Sequence, residues 1–494
     1  MPTSVYFRRG GRALVAAAIG FTSALTPLAS ARAQSLEQSL ARAYSANPTL
    51  NSQRASVRAI DEQVPQALSG YRPVISATAD IGALKQSTKL KQSGGAQADL
   101  SGFNPVQQGQ IAQLLQGVGG STGSGTVHPR GVGVSAQQTL FDGFRTYNSV
   151  RSAESNILGA REQLRNTEQN VLFDAAQAYM DVLRDYAILD VRKNNVEVLK
   201  EELRAARERF QVGEVTRTDT AQAEAAVEGA NTEVSEAEAT LNTSRATYRQ
   251  VVGMDIGRPR AARSIDRLLP KNLGAAINLS QAQHPAILAA FHGVDAATLQ
   301  IRVFEADLYP QVGLEAAFQR RWDDSVQQEG RTTSSSIVGR LTIPIYQGGS
   351  EYSRVRQAKE TAGQRRLEAD ISRDQVRQAV VSAWGNVQAA TAQIASAQAQ
   401  IEANQVALNG VREEAKVGQR TTLDVLNAQQ AVLDSRQTLI VAQRDRVVAS
   451  FALLSAVGWL TAEKLGLGVA RYDANVHYEQ VRDKWIGLRT PDGR

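Results

Sequence analysis

The side chains that could do chemistry in this chain are few and far apart. Its four histidines, His128, His284, His292 and His477, show no metal-ligand spacing such as His-Glu-x-x-His. His284 and His292 lie eight residues apart, a spacing that can share one helix face, but no third ligand accompanies them. The glycine-rich stretch 117–125 lacks a Lys-Ser/Thr ending, so it does not read as a phosphate loop. Cysteine is absent, which excludes disulfides, thiolate metal sites and a lipid-bearing N-terminal Cys. The expectation is therefore no enzyme, no cofactor and no metal. The one spacing that recurs is a threonine followed three residues on by an acid: Thr216 with Asp219, and Thr421 with Asp424. Such pairs are N-cap signatures, in which hydroxyl and carboxylate satisfy free N–H groups at a helix start.

That signature recurs because the chain repeats itself. Val150-Arg151-Ser152-Ala153 returns as Val355-Arg356-Gln357-Ala358, Val212-Gly213 as Val417-Gly418 and Val252-Gly253 as Val457-Gly458, each 205 residues on. Upstream, Asn47-Pro48 matches His284-Pro285 and Arg72-Pro73 matches Tyr309-Pro310 at a distance of 237, so the first copy carries 32 extra residues. A unit of more than 200 residues is too long for a solenoid repeat and reads as a duplicated half-protein.

The first 33 residues read as a signal peptide: Arg8, Arg9 and Arg12 precede an apolar run, and Ala31-Arg32-Ala33 is a small-x-small cleavage site. Removing them leaves 51 basic against 49 acidic residues, so no electrostatic case for nucleic acid remains. The rest divides into a first repeat (34–257), an inter-repeat segment (258–279), a second repeat (280–458) and a tail (459–494). The second and last of these pieces are expected to lie at the equator of the molecule. After the leader no apolar run reaches about 18 residues, so no helix is expected to span a membrane.

Proline is missing between Pro129 and Pro259 and again between Pro344 and Pro491, which permits two very long helical stretches. Val182, Leu189, Val196, Leu203 and Phe210 recur every seven residues, with Val171, Ala178, Leu199 and Ala206 in a companion row. The second copy carries Val387, Ile394, Ile401 and Leu408, with Ala383, Ala390, Ala397 and Val411. A sustained period of seven implies coiled-coil packing. Segment 146–210 would be about 98 Å long as helix, while 36–70 (with a bend at Pro65) and 218–252 would be about 52 Å each. The second copy repeats the relation, with 351–415 about 98 Å against about 97 Å for 280–307 and 421–457 together. Two short helices stacked end to end would match one long helix, giving a wall of four helical columns. An ordinary helical bundle or rod accounts for the same lengths.

Between the first short helix and the long one, each copy holds two segments of period two. Ile75, Ala77, Ala79 and Ile81 alternate with Ser76, Thr78 and Asp80, and Val132, Val134, Ala136 and Leu140 with Gly133, Ser135, Gln137 and Thr139. In the second copy Val312, Leu314, Ala316 and Phe318 alternate with Gln311, Gly313, Glu315 and Gln319; Ile337, Gly339, Leu341, Ile343 and Ile345 alternate with Val338, Arg340 and Thr342. The charges Asp80, Glu315 and Arg340 all fall in polar rows. Strands of about ten residues with apolar-out, polar-in alternation mark an outer-membrane barrel, and soluble hairpins packed on a core give the same alternation. Segment 85–130, rich in Gly, Ser and Gln, reads as a long exposed loop, with a shorter counterpart at 322–335. Four strands cannot close a barrel and open edges are not tolerated in lipid, so three chains would supply twelve strands.

With these features in place, the chain resembles the TolC family of outer-membrane efflux and secretion channels. The matching residues are Leu36-Glu37-Gln38-Ser39-Leu40 running to Asn47-Pro48-Thr49-Leu50, Leu140-Phe141-Asp142-Gly143, Phe210-Gln211-Val212-Gly213 with Asp219, and Val417-Gly418-Gln419-Arg420-Thr421-Thr422-Leu423-Asp424-Val425-Leu426. The resemblance implies an α+β membrane protein in the outer membrane that extends into the periplasm. It would be a homotrimer with a 12-stranded β-barrel set in outer-membrane lipid on a long antiparallel coiled-coil α-barrel. Val212, Gly213, Val417 and Gly418 would form hairpin turns that dock a periplasmic adaptor and, through it, an inner-membrane transporter. Thr218 and Asp219 would meet Arg420 to hold an iris-like entrance shut, and Asp424 would line the pore as an acidic ring. The chain departs from the family pattern at Asn427, where a second acidic ring would lie, and at Ala415, where a gating tyrosine would sit. The family carries drugs, lipid-like compounds or unfolded proteins, so the resemblance implies a conduit rather than one cargo. A reading of a different class, an envelope coiled-coil tether or adhesion protein without a pore, fits the helices alone.

Overall fold

The computed structural model describes residues 34–88, 101–117, 123–323 and 330–493. The expected leader (1–33) lies outside them, as do parts of both expected loops. In chain order the elements are α1 (Leu36–Ala46), α2 (Pro48–Asp61), α3 (Gln63–Leu68), β1 (Val74–Ile81), β2 (Leu84–Thr88), α4 (Pro105–Gly117), β3 (Gly123–Val127), β4 (Arg130–Phe141), α5 (Arg145–Gln211) and α6 (Arg217–Val252). The second half supplies α7 (Leu273–Gln283), α8 (Pro285–Glu305), β5 (Gln311–Trp322), β6 (Arg331–Thr342), α9 (Ser350–Lys416), α10 (Thr422–Val457) and α11 (Ala474–Val481).

The duplication is exact in length: α5 and α9 have 67 residues each, and α6 and α10 have 36 each. Each long helix is thus about 100 Å. Helix α5 packs on α6 along one part of its length and on α1 and α2 along another, while α9 packs on α10, α7 and α8 in the same way. Contacts between α1 and α6 and between α7 and α10 join the short helices end to end. Four columns result, and α5 and α8 together with α5 and α10 join the two halves.

The two columns of short helices break at or near proline. Pro65 has no N–H to give Asp61, and the helix stops at Asp61 and restarts at Gln63, four residues ahead of the bend expected at Pro65 itself. A second break falls at Asn47, whose Oδ1 accepts from the amides of Thr49 (2.8 Å) and Leu50 (3.3 Å). The duplicate breaks at His284, whose Nδ1 accepts from the Ala286 amide at 3.2 Å. Helix α7 also begins at Leu273, ahead of the start expected at residue 280. By composition the stretch Leu273–Leu308 is long and apolar enough to cross a membrane, contrary to expectation. It is nevertheless cut at His284 and packs along α5 and α9, although only 17% of its apolar window is buried within the chain.

The seven-residue rows are buried, with one shift. On α9 the buried line runs Val355, Ala362, Ala369, Val376, Ala383, Ala390 and Ala397, whereas Val387, Ile394 and Ile401 are only half-buried. Small residues occupy the seam, so neighbouring helix backbones approach closely. On α5 the line Ile157, Leu164, Val171, Ala178, Leu199 and Ala206 is buried, but Phe210 at the helix end is 46% exposed.

The tail (459–493) returns across the first repeat. Leu460 and Ala462 join the core with Leu36, Leu40 and Tyr179. Further on, His477 Nδ1 lies 2.9 Å from the fully buried carboxylate of Asp61, and Arg161 donates to Asn475 at 2.7 Å.

Two loop expectations are corrected. Segment 85–130 contains most of the β2–β3 ribbon, which continues the β1–β4 pairing, and α4. In the second copy β5 and β6 pair out to Trp322 and Arg331, so the connection is shorter than 322–335. Strand β6 ends at Thr342 and leaves Ile343 and Ile345 beyond it.

His284 is 9% exposed, and burial lowers its imidazole from 6.5 to about 4. Its neutral form is the folded one. As pH falls from 6.5 toward 4 the unfolded chain binds a proton that the folded chain refuses, so stability drops by about 1.4 kcal/mol per pH unit for each copy. His284→Asn keeps a cap acceptor, as Asn47 does, without that proton. The apparent Tm of the detergent-solubilised variant should fall less on acidification through this window than that of the parent chain; equal slopes would exclude His284 as their source.

Candidate functional site

Strand pairing builds a four-stranded antiparallel sheet in the order β1-β4-β5-β6. In such a sheet, directly opposed side chains share a face. Ile75, Ala77 and Ala79 oppose Ala136, Val134 and Val132; Val134 and Ala136 oppose Phe318 and Ala316; Ala316 and Leu341 oppose Ile337 and Val312. The alternating rows therefore merge into one apolar face, and it is bare: Ile81 is 85% exposed and Ile337 78%. The opposite face carries Ser76, Thr78, Asp80, Gln137, Glu315 and Arg340, with Glu315 and Arg340 3.9 Å apart. Val74, Ala317 and Val338 are apolar exceptions on that polar face. A bulge at Leu140 shifts the register between Thr139 and Phe141 and sets Phe141 opposite Val312, on the apolar side.

Where strands meet helices, exposed aromatic rings collect. Tyr71, Phe141, Phe144, Tyr147, Tyr309 and Tyr346 are 36–80% exposed. Aromatic girdles of this kind flank the apolar band of outer-membrane barrels. At the far end of the strands, Arg130, Arg320, Trp322 and Arg331 close the apolar face with charge.

About 100 Å of helix away lie the hairpin tips. Each turn is built alike. The amides of Gly213 and Glu214 donate to Phe210 and Arg209 carbonyls (3.1 and 2.9 Å), and those of Gly418 and Gln419 to Ala415 and Glu414 (3.2 and 2.9 Å). This Schellman closure needs a left-handed residue, and Gly213 (φ 79°) and Gly418 (φ 77°) supply it. Val212 and Val417, 72% and 71% exposed, stand at the tips.

Thr216 and Thr421 then cap α6 and α10 with full capping boxes. Asp219 accepts from the Thr216 amide (2.9 Å) and hydroxyl (2.7 Å), and Asp424 from those of Thr421 (3.0 and 2.9 Å). The Thr216 hydroxyl and amide hold the Asp219 carboxyl below its ordinary range, as the Thr421 amide and hydroxyl do for Asp424. Both are anionic at neutral pH.

The two tips face each other across a cavity of about 290 Å³ that Asp219, Arg420, Ala415 and Thr422 line. Within the chain Arg420 Nε donates to Glu414 Oε2 at 2.8 Å, and no Arg420–Asp219 ion pair occurs among the described residues. Instead the Thr422 side chain lies near Asp219 and helps to keep its carboxyl low. Thr218 is exposed, Ala415 half-buried and Asn427 exposed.

Sequence reasoning missed the polar rungs between the hairpins. Arg412 Nη2 donates to Glu202 on α5 (2.9 Å) and to Gln429 on α10 (3.1 Å), beside the buried Asn195. Higher up, Arg192 donates to Gln437 (3.1 Å) and Arg444 to Asp181 (2.8 Å). The signal was present: Asp185 and Arg192 occupy the row of Val171, Ala178 and Leu199 where an apolar residue is expected. Among the described residues no cluster of three or more His, Cys, Asp or Glu could hold a metal ion.

A family profile described as outer membrane efflux protein matches residues 39–254 and 276–459. The outer membrane efflux protein BepC of Brucella suis is 42% identical, over 97% of this chain and 98% of that protein. The alkaline protease secretion protein AprF of Pseudomonas aeruginosa is 24% identical, over 69% of this chain and 72% of that protein. Among solved structures, the Campylobacter jejuni CmeC outer membrane channel superposes with a TM-score of 0.70 at 16% identity, covering 91% of this chain and 89% of that one.

The two sheet faces make a direct test. Ile337→Arg places a cation on the apolar face near mid-strand and should disfavour insertion by roughly 2–4 kcal/mol. Ser336→Arg, one residue away on the polar face, should be far milder. Recovery of urea-resistant protein from outer membranes measures both, and equal losses would mean that the sheet does not separate lipid from water.

Proposed function

This chain belongs to the outer membrane efflux protein family, and we propose that three copies of it form one exit duct across the outer membrane and periplasm. One observation carries the reading: a sheet with a bare apolar face and two unpaired edges, β1 and β6, continues directly into helices of about 100 Å. Twelve strands from three chains would pair every edge, and twelve helical columns would continue the wall as a tunnel. The polar sheet face then lines water and the apolar face meets outer-membrane lipid. A pore-less envelope tether would have no use for a continuous apolar sheet face.

In this reading the hairpin tips lie at the periplasmic entrance. Val212, Gly213, Val417 and Gly418 present small, exposed turns to a periplasmic adaptor, and an inner-membrane transporter supplies the energy. Asp219, Thr218 and Arg420 belong to the closure, and Asp424 gives a ring of three carboxylates. Arg420 held by Glu414 within one hairpin is free to exchange partners when three copies surround the axis. Polar rungs such as Arg412–Glu202 favour movement of one hairpin past the other, because hydrogen-bonded partners can be exchanged whereas interdigitated apolar side chains must unpack. An adaptor opens such an entrance by binding the splayed state better. The names of BepC and AprF give efflux and protease secretion as the roles of those relatives, and a duct of this kind suits either a small effluxed compound or a polypeptide.

Single channels in planar bilayers test the entrance. Arg420→Ser with Asp219→Asn, which retains the capping acceptor, should raise conductance severalfold without unfolding the protein. Asp424→Asn should weaken cation selectivity and block by polyvalent cations. Thr216→Ala, a loss of capping alone, should cost about 1 kcal/mol of stability and leave selectivity intact. Unchanged conductance and block in the charge variants would place the constriction elsewhere.

A further inference from the structure

The tail does not end against the helices. After α11 it turns toward the foot of the sheet, where Arg72 Nη1 donates to the Lys484 carbonyl at 3.0 Å and the Arg72 guanidinium lies 4.7 Å from the centre of the Trp485 ring. Arg72 precedes Pro73 and the first residue of β1, so Trp485 stands level with the aromatic rings at the strand feet. Arg58 and Asp492, 3.5 Å apart, fasten the tail further along. Between these fixed points three large apolar side chains have little or no cover: Trp485 is 67% exposed, Ile486 90% and Leu488 fully. The Lys484 ammonium donates to the Arg489 carbonyl and closes the turn, which holds the apolar residues outward between two cations.

We propose that the 484–489 turn is a membrane-interface anchor, in which Trp485, Ile486 and Leu488 enter the periplasm-facing leaflet of the outer membrane while Lys484 and Arg489 meet phospholipid headgroup phosphates. The inference rests on the sheet being the membrane-spanning part. Three observations select lipid over a second copy of this chain. The turn is continuous with the exposed aromatic band; an indole beside apolar and cationic side chains is the combination that partitions to the headgroup boundary; and two independent contacts to the first repeat fix its height against β1. The turn would resist tilting of the helical tunnel under its transporter, since it grips the membrane outside the strand wall.

The test uses the full chain in phosphatidylethanolamine–phosphatidylglycerol vesicles containing lipids brominated near the headgroup or near the bilayer centre. Tryptophan emission is compared for the parent, Trp485→Phe and Trp322→Phe, the last reporting on the apolar face of β5. Trp485→Phe should remove a component quenched more strongly by shallow than by deep bromines. Ile486→Ser with Leu488→Ser should weaken that quenching and leave the Trp322 component unchanged. Quenching at Trp322 with none at Trp485 overturns the anchor but keeps the inserted sheet; no quenching at either site removes both. Efficient cross-linking of Ile486→Cys between protomers by a short bis-maleimide would assign the turn to a second copy and also overturn the anchor.

Discussion

An unpaired strand edge cannot rest in hydrocarbon, because each free N–H or C=O there lacks any partner and costs several kcal/mol. That constraint governs this protein. Its sheet turns an apolar face outward and leaves β1 and β6 open, so one chain by itself is an incomplete membrane object. The helical columns share the incompleteness: α9 carries a buried alanine-rich seam on one side and long exposed stretches on the other. In the proposed trimer, completing the edges and covering the helices would be satisfied together.

Duplication gives the two halves the same lengths and the same turns but different interiors. Both copies break a column with a capped X-Pro pair, yet one uses Asn47 and the other His284, and only the latter is sensitive to acid. The seam position that holds Ala390 on α9 holds Asp185 on α5, where Arg184 Nε donates to it at 2.7 Å. The first half is also the one the tail returns to, through Asp61, Arg161, Arg72 and Arg58. The halves are thus alike in frame and unlike in what they anchor.

The two ends of the molecule use opposite physics. At the sheet, specificity is a matter of which face is apolar, and a one-residue bulge at Leu140 suffices to place Phe141 on the apolar side. At the hairpin tips, apolar packing thins and exchangeable polar contacts replace it, with Asp219 and Asp424 each committed to a cap and each kept ionised by it. Capping and lining a pore need not compete. A carboxylate that accepts from a helix start retains its charge and its outward lone pairs.

Sequence alone determined the repeat, which shows as matching residues 205 apart, and the long helices, the strand faces and the N-caps of α6 and α10, which depend on neighbours within about one helical turn or one strand. It also placed Val212-Gly213 and Val417-Gly418 at turns, because a left-handed residue ends a helix locally. Only tertiary structure decided the rest. Which row of α9 is buried depends on the helix beside it, so Ala383, Ala390 and Ala397 outrank Val387, Ile394 and Ile401. Segment 85–130 carried no strong period, yet its two arms pair as β2 and β3 because β1 and β4 bring them together. Arg412 finds Glu202 across 210 residues, and Arg72 finds Trp485 across the whole chain. Partners so distant in sequence leave no local period to read, and they become neighbours only when the four columns are assembled.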